Sequence, residues 1–164
     1  MKNILAENLL RFGVKNLKEN NMIRLKSLLK EQVDLTLDQE TWLDKCTKSP
    51  ANNMLARKWK LNNGLVNVDG DFECSKGITD FKGVKFGTVT GNFNCPVNSL
   101  TTLQGAPQSV GGDFECERNN ITSLDGVPKR IGGLFTYPKN LGSEAAVKNE
   151  LNNRNSKVSE LQAL

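Results

Sequence analysis

Histidine is missing from all 164 residues. That removes the commonest general base near neutral pH and the commonest metal ligand, together with every Ser-His or Cys-His nucleophile pair. No apolar run approaches the ~18 residues that a membrane span needs. The first residues reach Glu7 before the apolar core of a signal peptide can form. A soluble, unsecreted chain is therefore expected, with no membrane partner. None of the four cysteines, Cys46, Cys74, Cys95 and Cys116, forms a Cys-x-x-Cys pair, so zinc and redox spacings are lacking too. Free thiols suit a reducing cytosol.

Acidic residues are scarce only in the first part of the chain. Residues 1–60 hold twelve basic and seven acidic side chains, residues 61–142 seven and eight, and residues 143–164 three and three. Arg11, Lys15, Lys18, Arg24, Lys26 and Lys30 could attract an acidic partner. Phe12 is the one aromatic before Trp42, so stacking platforms for bases are wanting. The charges read as a solvated helical surface, and nucleic acid is not an expected partner.

What the chain does contain is a repeat. Val68-Asp-Gly-Asp-Phe-Glu-Cys74, Val89-Thr-Gly-Asn-Phe-Asn-Cys95, Val110-Gly-Gly-Asp-Phe-Glu-Cys116 and Ile131-Gly-Gly-Leu-Phe-Thr-Tyr137 follow one another at a spacing of 21 residues. A fixed period of this length predicts stacked units that present a surface, not an enclosed pocket. Alternation within Phe-x-Cys predicts a short strand with both side chains facing the core. Phe72, Phe93, Phe114 and Phe135 should stack as an aromatic row. Asn98, Asn119 and Asn140 should bond turn backbone within and between units. Gly83, Gly105 and Gly126, with Pro107 and Pro128 two residues after the latter pair, mark the return of each unit. The pairs Gly111-Gly112 and Gly132-Gly133 lack a following Gly-Lys-Ser/Thr and read as turn geometry, not as phosphate loops.

The flanks read as helical. Residues 1–60 show apolar positions near helical spacing, with Thr36 or Asp38 able to cap a short helix through Cys46. Trp59-Lys60-Leu61 begins the transition into the repeats. Ser143 can cap a C-terminal helix that covers the exposed end of the repeat core, with Asn152-Asn-Arg-Asn155 weakening its middle.

In the third unit, Phe114-x-Cys116-x-x-Asn119-x-Ile121 is similar to the leucine-rich-repeat pattern Leu-x-Leu-x-x-Asn-x-Leu, and Phe93-x-Cys95-x-x-Asn98-x-Leu100 repeats it. The first unit lacks the Asn, and in the last Leu141 comes one residue early. The combination of Gly-Gly-Asp-Phe-x-Cys with Leu-x-x-Leu-x-Gly-x-Pro looks like the leucine-rich-repeat proteins encoded by tailed bacteriophages. The opening Ile4-Leu-Ala-Glu-Asn-Leu-Leu-Arg-Phe-Gly-x-Lys-Asn-Leu17 resembles a segment that begins a variety of phage proteins. The fold class expected is α+β: a short leucine-rich-repeat solenoid of about four turns over residues 61–142, an N-terminal helical anchor region over 1–60, and a C-terminal helical cap over 143–164. The resemblance implies a non-enzymatic phage structural or interaction protein, carried on the virion and assembled in the host cytoplasm. Its partners are then phage structural proteins, a second copy of the chain among them. The alternative is a soluble phage-encoded module that binds a host factor in the infected cell.

Two surfaces are candidates for that binding. The apolar stripe Ile4, Leu5, Leu9, Leu10, Phe12 and Leu17 either packs on the repeats or inserts into a groove on another protein. The strand residues beside each Phe, namely Asp71, Glu73, Asn92, Asn94, Asp113 and Glu115, should point outward at strand spacings of ~4.8 Å. That face is acidic at its ends and neutral in the middle, and could dock a basic patch. It could equally be plain solvated surface. The cysteine row reads as small buried core residues, not as a thiolate metal ladder. No catalytic residue, metal or cofactor is expected, since the carboxylate pairs lie on an open face.

Overall fold

The computed structural model describes residues 35–49, 57–74 and 77–164. The apolar stripe of residues 4–17 lies outside them. The first helix among the described residues, α1 (Leu37–Cys46), starts where a hydroxyl can cap it. The Gln39 N–H donates to the Thr36 hydroxyl (3.2 Å), and the Thr36 N–H donates back to the Gln39 side-chain oxygen (2.8 Å). This reciprocal box satisfies two otherwise orphaned donors. The buried face of α1 carries Trp42, Leu43 and Cys46. Trp42 meets Phe72 and Phe86 edge-on, at ring separations of 5.5 and 6.3 Å. A charged clamp fixes the same helix from the other side. Asp44 accepts from Arg57 (3.0 Å) and from the Trp59 indole N–H (2.8 Å), while Arg57 also lies 4.7 Å over the Trp59 ring.

Strands β1 (Trp59–Asn62) and β2 (Leu65–Val68) pair antiparallel around Asn63-Gly64. Both turn residues have positive φ (51° and 73°), which suits Asn-Gly in a two-residue hairpin. From β2 onward the 21-residue period becomes two parallel ladders. One joins β2, β4 (Phe86–Val89), β6 (Ser109–Val110) and β8 (Arg130–Tyr137), with Val68, Val89, Val110 and Ile131 in register. The other joins β3 (Phe72–Glu73), β5 (Phe93–Asn94), β7 (Phe114–Glu115) and β8, with Phe72, Phe93, Phe114 and Phe135 in register. Strand β8 belongs to both, so the sheet runs β1-β2-β4-β6-β8-β7-β5-β3. The phenylalanine rings stack between units, at 4.7 Å for Phe72–Phe93 and 5.4 Å for Phe114–Phe135. Cys74, Cys95, Cys116 and Tyr137 follow them inward.

This architecture corrects the expected fold. The chain is a nine-stranded mixed sheet with two short α-helices among the described residues, not a leucine-rich-repeat solenoid with helical caps. The reason lies inside the repeat. Each unit has two inward apolar positions four residues apart, Val89 and Phe93 for example; in the first three units each anchors its own strand, and in the last Ile131 and Phe135 share the long β8. The leucine-rich pattern assigns one strand per unit. The C-terminal cap is corrected as well. Helix α2 (Glu144–Asn153) begins at Ser143, whose hydroxyl accepts from Ala146 N–H, but it ends before Asn155, which adopts a left-handed φ of 55°. Beyond it the chain forms β9 (Lys157–Ala163), parallel to β8 along six registered pairs. The open edge of β8 supplies main-chain partners that a continued helix would leave unpaired.

The glycine pairs have a different cause from the one their sequence suggests. Gly111, Gly112, Gly132 and Gly133 are absent from the positive-φ residues. They are glycine because the units touch there. A Cβ on Gly111 would overlap the Thr90 carbonyl, and one on Gly132 the Gly111 carbonyl. The return glycines Gly83, Gly105 and Gly126 do have positive φ (70°, 90° and 88°).

Candidate protein-binding face

The outward face of the second ladder is built by the same alternation that buries the phenylalanines. Its first row is Asp71, Asn92 and Asp113. Each side-chain oxygen turns back and accepts the main-chain N–H of the next unit: Asp71 from Asn92, Asn92 from Asp113, and Asp113 from Leu134, all at 2.8 Å. Glycines 91, 112 and 133 make room for these three oxygens, since a Cβ at each would collide with one. The Gly-[Asp/Asn]-Phe triplet therefore holds successive units together. Asp71 is exposed, and Asn92 and Asp113 are half-buried. Part of the hydrogen-bonding capacity expected to face a partner is already used within the chain.

The second row is Glu73, Asn94 and Glu115, continued by Thr136 and Gln162 through the registered pairs. Glu73 is exposed and pairs with Lys48 (2.8 Å). That hydrogen bond and the charge of Glu73 raise the Lys48 pKa. An exposed pair of this kind adds little stability. Asn94 is half-buried, and its side-chain oxygen has no hydrogen-bond partner. Glu115 is half-buried beside Asp113 and Glu117. Desolvation raises its carboxyl pKa first, and the charges of Glu117 and Asp113 add to the shift. Glu117 accepts from the Thr136 hydroxyl at 2.8 Å. Three carboxylates are thus held together without a cation among the described residues' ion pairs.

The structure brings all six strand-face candidates onto one surface and divides them by role. Two participants escaped the sequence reading. Glu117 lies two positions past Glu115, and its acidity was visible, but its turn toward Thr136 was not. Lys48 arrives from the loop after α1, where it adopts a φ of 53°. No local pattern announces that approach.

The interior of the ladder carries no comparable chemistry. Burial pushes the Cys74 and Cys116 thiols up, which disfavours the thiolate that a metal or nucleophile role requires. Asn119 donates to the carbonyls of Cys95 (2.9 Å) and Cys116 (3.0 Å) and accepts from Leu100 N–H (3.0 Å), a structural bridge between units. Among the described residues, no group of three or more Cys, Asp and Glu is placed to hold a metal ion, and no helix is long and apolar enough to cross a membrane. No protein-family model matches the chain, and no curated protein or solved structure shows significant similarity to it.

Proposed function

We propose that the chain is a non-enzymatic structural or interaction protein of a bacteriophage particle, and that it holds a basic segment of another virion protein on its acidic strand face. The cluster of Asp113, Glu115 and Glu117 carries this reading. These like charges share one registered strand face where partial burial and mutual repulsion raise the Glu115 carboxyl pKa, so an incoming lysine or arginine relieves a repulsion that an isolated carboxylate lacks. The virion setting rests on the resemblance of the Gly-Gly-Asp-Phe-x-Cys units and of residues 4–17 to phage proteins. In this reading the N-terminal apolar stripe is the anchor and the sheet is the docking surface. Mass spectrometry of purified particles tests the setting: the chain is expected at stoichiometric abundance. Its absence from particles, with recovery from the infected cell, would move the action to a host factor. The docking face is tested separately with Glu115→Gln/Glu117→Gln, which should weaken capture of the partner and flatten its salt dependence.

A further inference from the structure

We infer that the outer edge of β9 pairs antiparallel with β9 of a second copy, joining two sheets across a two-fold axis. Strand β9 has seven residues and, among the described residues, pairs only with β8. Its other edge bonds to nothing among the described residues. A strand of that length with a free edge is a template for another strand unless something blunts it. β9 contains no proline, and its alternation breaks once, between the exposed Ser159 and Glu160, so that Val158 and Leu161 both turn to the core side. Beside the edge, α2 and β9 enclose a groove of about 400 Å³, lined by Leu151, Val158 and Leu161 and flanked by Glu144, Lys148 and Glu160. Ser156 also lines it, 5% exposed and with a hydroxyl that finds no hydrogen-bond partner among the described residues.

The sequence of β9 complements itself. In the antiparallel register that sets Val158 against Leu161 of the second copy, both members are half-buried apolar residues on the core side. The same register sets Ser159 against Glu160 of the second copy and Lys157 against Gln162 of the second copy. Lys157 then lies diagonally across from Glu160 of the second copy, within reach of a long side chain. Lys157 and Glu160 are both exposed, and neither has an ion-pair partner among the described residues. The two-fold axis makes each contact twice. Residues 143–164 carry three charges of each sign, so two copies of this end do not repel overall. An unrelated strand would need these features by coincidence, whereas a second copy brings them by symmetry.

The test is sedimentation equilibrium of the full chain. The wild type should be a dimer. Lys157→Glu and Glu160→Lys, each alone, convert the two diagonal attractions into repulsions and should weaken dimerisation about tenfold. The double variant Lys157→Glu/Glu160→Lys restores the pairing and should recover the wild-type dissociation constant. Both positions are exposed, so a circular-dichroism melt should confirm that each variant remains folded. A wild-type mass of one chain at all concentrations overturns the inference. So does dimerisation that neither single reversal changes, or a double variant no tighter than the singles.

Discussion

Val97 is a β-branched residue in left-handed backbone, with φ at 56° and 44% of its surface exposed. The clash of Cβ with the following carbonyl makes this conformation costly, and Asn tolerates it better. Arg118, one unit later, adopts the same φ region at 53°. Replacing Val97 with Asn should therefore stabilise the protein by about 1 kcal/mol. A rise in the urea midpoint at unchanged slope is the expected result, and an unchanged midpoint refutes the assignment of strain. Glu115 is the second residue under strain, here electrostatic. Its folded carboxyl holds a proton more tightly than the unfolded chain does, so its ionised form opposes folding. The penalty is present at neutral pH and vanishes as the pH falls below the unfolded carboxylate range. Glu115→Gln should accordingly raise the unfolding free energy at neutral pH by less than ~0.5 kcal/mol, the group being partly exposed and screened, and match the wild type in acid. A gain that persists in acid points to packing, not charge. Neither strain was legible in the sequence. Val is an unremarkable residue until its φ is known, and Glu115 differs from Glu73 only in its neighbours.

At the scale of the element, the 21-residue unit is two inward anchors separated by a close approach. Phe114 is fully buried between Phe93 (5.5 Å) and Phe135 (5.4 Å). Truncation to Ala empties an aromatic core site and should cost about 3–5 kcal/mol in a chemical melt. A loss under ~1 kcal/mol would show that the row does not organise the core. Gly132→Ala tests the close approach. The new Cβ meets the Gly111 carbonyl, main chain that cannot swing aside, so strands β6 and β8 must part. A destabilisation of about 1–3 kcal/mol is expected, without any change of φ preference to account for it. Phe-x-Cys alternation and the return glycines with positive φ were readable, because both are local. The second strand row was not. Val89 and Val110 recur at the 21-residue spacing, but only their pairing across units makes strands of them. The end of the chain misled for a similar reason. Val158 and Leu161 are spaced as on a helix, yet they lie against Ile131 and Phe135 of β8.

The whole molecule shields its thiols together. Cys46, Cys74, Cys95 and Cys116 are all buried, and the elements that cover them belong to one contiguous core. Their labelling by a disulfide reagent at mildly alkaline pH should be negligible in the native state. It should rise with denaturant along the same curve as unfolding, reaching four thiols per chain. Early labelling of one cysteine alone would reveal a unit that opens before the rest. At this scale the candidate binding face was half legible. Outward placement of Asp71, Glu73, Asn92, Asn94, Asp113 and Glu115 followed from period-two alternation. The division of labour among them did not, because a side-chain oxygen bonded to the next unit depends on a neighbour 21 residues away.

The amino-acid sequence alone determined the repeat, its period, its buried aromatic and thiol rows and its polar outer face, since these follow from spacing and side-chain chemistry along one strand of chain. Tertiary structure decided how many strands each unit makes, which carboxylates stay free, and that Lys157–Ala163 forms a strand. Those outcomes depend on which main-chain groups find partners across space, and Lys157–Ala163 meets the unpaired edge of β8 only after the chain has folded.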